Sequence, residues 1–477
     1  MGKLSKRQIL VLALCPLALA AGATIGLVAN ARSGSHHGLR LSTDGGNGGA
    51  ALGTDPGGGL APGDASTPEP ATASTTAPGS SSTSTTARAT TTTKPTVGTG
   101  ATTTSGPSST TTTTTAPTTT TTTTAPPARP TVMFRTLLDV PAGTDAVAVV
   151  AGDFNGDHHP DLAVVDDGPA HQVVILTGDG KGSFTAGPTY STSGPTAVAT
   201  ADFNGDGHPD LAVLNGGYNT ISILMGVGNG TFTAKPAVST GVEPLGVLTA
   251  DFDGDHVADL AVVTRSQTVS VYPGVGNGTF GSAISTSIPG PTLALAAGDL
   301  NGDGKVDIAV GGYDTVYSLL GTGNGQFQAP VPHRANASIQ AVGIGDVNHD
   351  GRLDIAAVVP DVNSVYDFLG TPSGFGPATY QSIAGPTPPG AGSGAALAVG
   401  DVTGDHADDL VISVVSNKSV ALLLDNGTPT LTHPVPNLTT SAGAQGLTLA
   451  DVNGDGRLDL VVADSSGGVA VFLAQAS

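Results

Sequence analysis

TAVATADFNGDGHPDLAVLNGGYNTISILMGVGNGTFTAKPAVSTG, residues 196–241, is the stretch whose reading decides the fold. It opens on an alternating apolar–polar run, TAVATA, with the period of a half-buried strand. A loop of the form D-x-N-x-D-x-x-x-D spans Asp202 to Asp210 and runs straight into a short apolar segment, DLAVL. A Gly/Asn turn, NGGYN, leads to a second alternating run, TISILMG. A tight G-x-G-N-G turn follows, then a last run opened by Phe232. Small and β-branched residues dominate, and turn residues punctuate every few positions. The reading is four short strands and no helix.

Outward from this unit the pattern recurs. Asp loops begin at Asp153, Asp202, Asp251, Asp299, Asp346, Asp401 and Asp451, with start-to-start spacings of 49, 49, 48, 47, 55 and 50. Four-stranded units at that period are blades of a β-propeller. We expect an all-β fold, a seven-bladed β-propeller with calcium-binding loops. The two ends test it. The last repeat stops after GGVAVFLAQAS, one strand short. VMFRTLLDVPAG (132–143) precedes the first repeat as an orphan strand similar to the closing strands of the others. That N-terminal strand is predicted to complete blade seven and close the ring. An open solenoid would need polar capping repeats, and none is visible.

Each Asp loop offers side-chain oxygens at positions 1, 3, 5 and 9 and a backbone carbonyl at position 7. Hard oxygens of this mixed kind are what Ca²⁺ collects. The first three candidate sets are Asp153, Asn155, Asp157 and Asp161; Asp202, Asn204, Asp206 and Asp210; and Asp251, Asp253, Asp255 and Asp259. The next two are Asp299, Asn301, Asp303 and Asp307, then Asp346, Asn348, Asp350 and Asp354. The last two are Asp401, Thr403, Asp405 and Asp409, then Asp451, Asn453, Asp455 and Asp459. The carbonyls would come from His159, His208, Val257, Lys305, Arg352, Ala407 and Arg457. For one copy the bland alternative is an Asx-rich turn capped by its own side chains. Seven copies in register favour a cation, because three or four carboxylates within nine residues repel unless one holds them. Up to seven Ca²⁺ are expected.

Position 6 is Gly207, Gly304, Gly351 and Gly456 in four loops and His158, His256 and His406 in three. A left-handed turn suits glycine, so the three histidine loops are expected to bind more weakly. Thr403 makes the sixth site the most doubtful. The histidines are scattered and lack a second His or Cys ligand, so we read them as solvated rather than as transition-metal ligands. Position 12 is apolar (Val164, Val213, Val262), where an EF-hand needs a bidentate Glu.

D-x-N-x-D-G-x-x-D-[LI]-A-V together with L-G-x-G-x-G-x-F resembles the FG-GAP/VCBS repeat family, the repeat of the β-propeller that heads integrin alpha subunits. The resemblance covers residues 132–477. The glycine turn is clear at 178–184, 226–232, 274–280 and 321–327 and decays at 370–375 and 425–431. The resemblance implies a seven-bladed propeller with calcium on one face and, in relatives that bind ligands, the ligand on the other.

The rest of the chain sets context. Residues 9–29 are apolar and follow Lys3, Lys6 and Arg7, so 1–31 reads as a signal peptide or a signal anchor tethering the chain to a membrane. Either way the remainder is exported. Cys15 is the one cysteine, and Leu14 stands where lipid attachment needs a small residue. No disulfide can staple the exported part. Residues 32–131 are Gly/Ser-rich and then Thr/Pro-rich, without apolar periodicity. They form an extended, O-glycosylated stalk or a plain disordered linker.

The formal charge is −21, and residues 132–477 carry 34 acidic and 9 basic side chains. Of those acids, 22 occupy loop positions 1, 3, 5 or 9, where seven divalent ions would cancel more than half of the excess. A nucleic-acid partner needs the reverse balance, and none is expected.

No G-x-S-x-G, H-E-x-x-H or cysteine nucleophile is present, so an enzyme is not expected. Because the Asp loop joins the first and second strands of a blade, the ions share a face with the glycine turns. The other face carries the varied connections 166–172, 215–220, 264–268, 311–315, 359–364 and 381–395. Tyr218 and Tyr313 recur there at matching positions as candidate contact residues. The expectation is a monomeric, secreted or cell-surface adhesion module for an extracellular protein or glycan. With no Trp and 7 Tyr, the glycan reading is the weaker.

Overall fold

The apolar run after each Asp loop is continuous rather than alternating, and packing explains why. In blade one Leu162 and Val164 face the cluster shared with blade seven, while Ala163 and Val165 face the cluster shared with blade two. A strand buried on both faces has no polar side. The same holds round the ring. Seven apolar clusters fill seven junctions between neighbouring blades.

The computed structural model describes residues 132–335, 337–359, 364–383, 396–415, 418–425 and 437–475. The expectations for 1–31 and 32–131 lie outside them. So do 360–363 and 384–395 of the varied connections and most of the decayed turn at 425–431. The elements formed by the described residues are all β-strands.

Blade one is Ala146–Gly152, Asp161–Asp166, Gln172–Gly178 and Phe184–Ser191, hydrogen-bonded in that order. Blade two is Pro195–Ala201, Asp210–Asn215 and Thr220–Gly226, with an outer strand split into Phe232–Ala234 and Val238–Ser239 around Pro236. Blades three to six repeat the antiparallel order, opening at Pro244, Ala294, Ala341 and Leu397. The innermost strands touch in a closed circuit, the seventh meeting the first.

Closure is by strand exchange, as expected from the ends. Met133–Pro141 pairs antiparallel with Gly468–Gln475, outside Asp459–Asp464 and Ala444–Ala450. Chain exit and entry are then locked together. Ala142 donates its N–H to the Gly467 carbonyl at 2.8 Å, and the Asp166 carboxylate accepts the N–H groups of Thr144 (3.0 Å) and Asp145 (2.8 Å). Burial works against a charge on Asp166, yet these bonds and the Gln172 amide hold its carboxyl below the ordinary range. Gly467 has φ +82°, and a Cβ there would lie 2.3 Å from the Gly143 carbonyl oxygen, so no other residue fits.

Candidate metal centre

Each Asp loop is organised by its first and last carboxylates. At position 1, Oδ2 accepts the position 6 N–H in all seven copies, at 2.7–3.0 Å. At position 5, Oδ1 accepts the position 7 N–H at 2.8–3.1 Å. These are the self-capping turns weighed against the metal reading. They compete with a cation at position 1, where Asp153 accepts three N–H groups and Asp202 four, but at position 5 they leave part of the about four lone-pair sites of a carboxylate open.

Position 9 does something the sequence pattern did not indicate. Asp161, Asp210, Asp259, Asp307, Asp354, Asp409 and Asp459 have no solvent exposure. Each accepts the position 2 N–H on Oδ2 at 2.8–3.1 Å. Each accepts a second N–H on Oδ1, from the far end of the third strand, at 2.6–2.8 Å. One carboxylate thus ties the loop, the second strand and the third strand together.

Burial, with the neighbouring aspartates adding to it, pushes these carboxyls up. Asp161 and Asp307 reach about 6, Asp210, Asp259, Asp354 and Asp459 about 7, and Asp409 about 8. A cation beside such a carboxylate would favour its charged form.

The oxygen-rich donor set suits a hard cation, but the seven sets are not gathered alike. Among the described residues, three carboxylates come within 4.8 Å of one another only at Asp251, Asp253 and Asp259. Burial and the charges of Asp255 and Asp251 raise the Asp253 carboxyl. In the other six loops position 3 is an amide or a hydroxyl, and the carboxylate at position 5 caps backbone in its own loop.

The fourth, fifth and seventh loops show this plainly. Asn301 Oδ1 accepts the Asp303 N–H at 2.8 Å, and Asp303 Oδ1 accepts that of Lys305 at 3.0 Å. Both side chains are exposed, and the Lys305 ammonium lies 3.7 Å from Asp303. Asn348 accepts the Asp350 N–H at 2.9 Å, and exposed Asp350 accepts that of Arg352 at 2.9 Å. Asn453 accepts the Asp455 N–H at 2.9 Å, and exposed Asp455 accepts that of Arg457 at 3.0 Å. In the sixth loop half-buried Asp405 accepts the Ala407 N–H at 3.1 Å and donates its own to Asp401 at 3.0 Å.

The three-carboxylate cluster lies in the third loop, and the other six loops combine carboxylates with an amide or a hydroxyl. Asn301, Asp303, Asn348, Asp350, Asp405, Asn453 and Asp455 stand in the loops where the pattern puts them, each bonded within its own loop. The compensating groups nearest these carboxylates are the loop's own N–H dipoles.

Amide nitrogens fill some of the gaps. In blades one and two the Nδ2 of Asn155 and Asn204 sits against Asp157 (3.0 Å) and Asp206 (2.8 Å), a weak positive group beside carboxylates. Asn155 Nδ2 also reaches Asp161 at 3.3 Å, and Asn453 Nδ2 reaches Asp459 at 3.4 Å. In the sixth loop the Thr403 hydroxyl reaches Asp401 at 3.3 Å. The position 7 side chains of the first two loops turn away: His159 and His208 cover Gly180 and Gly228 of their own blade's glycine turn.

Position 6 is left-handed in every copy, with φ between 67° and 87°, and His158, His256 and His406 adopt it at 67–70°. Their side chains are 72–94% exposed and stand 3.4–3.9 Å from the position 1 carboxylate, as solvated residues. Position 4 is left-handed too, a feature missed although glycine fills it in six loops. His349 takes it in the fifth, at φ 58°. Replacing His158, His256 or His406 by glycine is expected to raise stability by up to about 1 kcal/mol each. Thermal melts in EDTA check this, and an unchanged or lower midpoint would remove the strain argument.

The glycine turns are more than hairpin connectors. Gly230 of blade two donates its N–H to the Phe154 carbonyl of blade one's loop at 2.8 Å. Gly278 does the same to Phe203 (3.0 Å), Gly325 to Phe252 (3.0 Å) and Gly182 to Val452 (3.1 Å). Phe232, Phe280 and Phe327, two residues beyond three of those glycines, pack edge-on against Phe154, Phe203 and Phe252 at 5.2–5.9 Å. The Asp loop of one blade and the glycine turn of the next form a single unit.

Residues 153–213, 202–262, 251–310, 299–357, 346–412 and 401–462 match the model of the FG-GAP-like repeat. Together they span most of the chain. It belongs to the FG-GAP-like repeat family. No curated protein sequence matches it. Among solved structures, the FG-GAP-like propeller is similar to BBS1N in its complex with ARL6DN. Identity is 16% over 72% of this chain and 97% of that one, with TM-score 0.51. A lectin of Agrocybe aegerita that recognises non-reducing terminal N-acetylglucosamine is 17% identical over 69% of this chain and 93% of that one, with TM-score 0.43. In all, 519 solved chains match, so the architecture is shared too widely to name a ligand.

On the face away from the Asp loops, Tyr218 and Tyr313 are 66% and 54% exposed. Each stands two residues before the third strand of its blade, at Thr220 and Thr315. The connections there are pinned. The carbonyls of His171, Asn219, Gln267 and Lys418 accept the N–H groups of Thr192, Thr240, Ile288 and Thr440 where each blade ends. Asn219 Oδ1 also accepts the Glu243 N–H (2.8 Å), and Glu243 pairs with Arg265 at 3.1 Å. A groove of about 660 Å³ on the rim between blades two and three was not foreseen. Its walls include Ser239, Thr268, Ser270, Tyr272, Phe280 and Ser285. The break at Pro236 was the one visible signal for it.

Proposed function

We propose that this FG-GAP-like propeller is a secreted or surface-tethered recognition module, braced by calcium and without chemistry of its own. The observation that carries the calcium reading is the seven buried position 9 carboxylates, each raised by burial and flanked by oxygen donors. The side chains at positions 1, 3, 5 and 9 and the position 7 carbonyls would hold the ions. Calcium would neutralise the loops and do for the exported chain what a disulfide does elsewhere.

Export is supported by the basic and apolar start of the chain, and display by the Thr/Pro stretch of 32–131. Recognition is assigned to the opposite face, where exposed Tyr218 and Tyr313 stand on pinned connections of a rigid scaffold. An extracellular protein is the favoured partner class. BBS1N, of the same architecture, is seen in complex with ARL6DN. The glycan reading has one observation on its side, the hydroxyl-lined rim groove with Tyr272 and Phe280 in its walls.

Calorimetric melts with calcium and with EDTA test the first claim. A site held at a hundredfold its Kd adds about 2.7 kcal/mol, so several sites should move the midpoint by more than 10 °C, roughly. An unmoved midpoint, or no bound metal by elemental analysis, sinks it. Cell-adhesion binding with a Tyr218→Ala/Tyr313→Ala double variant, beside a glycan array and a hydrolase panel, separates protein adhesin, lectin and enzyme.

A further inference from the structure

The seven Asp loops share one pattern, but the next blade does not support them equally. In the loops at 451–459, 153–161, 202–210 and 251–259 the position 2 peptide is clamped from both sides. The position 9 carboxylate takes its N–H, and the next blade's glycine turn donates to its carbonyl. Positions 1 and 3, both proposed ligands, flank that peptide.

The loop at 299–307 keeps its inner bond, Leu300 N–H to Asp307 at 2.9 Å. The turn that faces it is one residue shorter, with Gly370 pairing Phe375 where Gly226 pairs Phe232. No turn bond to Leu300 exists among the described residues. At 401–409 no turn bond to Val402 exists among the described residues. Blade seven's outer strand is Met133–Pro141, supplied from the N-terminal side rather than by a hairpin from its third strand. Arg457 donates instead to the Thr403 carbonyl at 3.2 Å, placing a permanent positive charge beside the loop.

We propose that the glycine turns of blades one to four are positioning elements for the cation sites of the preceding blades. They divide the ring into tight sites (451–459, 153–161, 202–210, 251–259) and weaker ones (299–307 and 401–409). This rests on the calcium reading above. A ligand set that is already ordered loses less freedom on binding. One extra hydrogen bond on the scaffold is worth up to about tenfold in affinity. In the sixth loop the Arg457 charge acts in the same direction by repelling the ion.

Calcium titration of the full chain by isothermal calorimetry tests it, with two variants. Deleting Gly230 gives blade two a turn as short as blade five's, and one ion should leave the tight phase with a Kd roughly tenfold weaker. Replacing residues 371–374 by the sequence of 227–231 lengthens the short turn, and one ion should join the tight phase. The second variant gains binding, so a folding failure of the first leaves the test intact. A purely structural turn would shift the melt in EDTA and leave the ion count of each phase alone. Seven equivalent sites, or a graft that changes nothing, overturns the grading while sparing the calcium reading. No bound calcium overturns both.

Discussion

Deleting residues 132–143 is expected to abolish the cooperative melt of the propeller or lower its midpoint by roughly 7 °C. The strand they form holds Gly468–Gln475 through seven paired residues, Met133 to Pro141. At about 1 kcal/mol per backbone bond, with the burial of Val132 and Ala142 added, the loss is on the order of 5 kcal/mol. It also uncovers a full-length strand edge, a template for aggregation. Blade seven would be left with three strands, and the lock between Gly467, Ala142 and Asp166 would go with the strand. Light scattering and calorimetry read the result. A synthetic peptide of residues 132–143 added to the shortened chain should restore part of the transition. A shortened chain that melts like the parent would mean that the ring is held by blade packing alone.

Legibility divides along the range of the interactions. The blades could be read because their signals are local: TAVATA, DLAVL, NGGYN and TISILMG each announce a strand or turn within a few residues. The closing strand could be read because both ends of the repeat array were incomplete in complementary ways. Left-handed position 6 followed from its glycines. What stayed hidden is non-local. Nothing around Gly230 signals a bond to Phe154, which lies in the preceding repeat, and an Asn-Gly pair already has a sufficient explanation as a hairpin turn. Only the recurrence of Phe154/Phe232, Phe203/Phe280 and Phe252/Phe327 at nearly constant separation could have shown it.

The position 9 aspartate was hidden for a different reason. Its pattern fits a metal ligand so well that a second role leaves no separate trace. Ligand and brace both demand a short carboxylate at the start of the second strand. Sequence alone has no means of dividing the two. The middle of the loop poses the converse problem. Asp303, Asp350 and Asp455 fit a ligand and an Asx cap equally well, and the spacing does not say which way the carboxylate turns.

Substitution divides ligand from brace. Asp210→Ala is expected to cost about 2–6 kcal/mol in EDTA, because it leaves the N–H groups of Phe203 and Gly226 buried with no acceptor, at about 1–3 kcal/mol each. Asp210→Asn should recover less than half. Its amide has one oxygen for two donors, and its NH₂ would face the second N–H head on. Calcium then reports the other role. Returning the ion to the parent should stabilise it by more than it stabilises either variant, and the shortfall is the share of the second site. If Asp210→Ala costs under about 1 kcal/mol in EDTA yet loses one bound ion, the residue is a ligand and its two hydrogen bonds count for little. If it costs several kcal/mol and loses no ion, the seven buried carboxylates brace the strands and the metal reading fails at its strongest point. With both carboxylate oxygens bonded and neither saturated, we expect both quantities to fall.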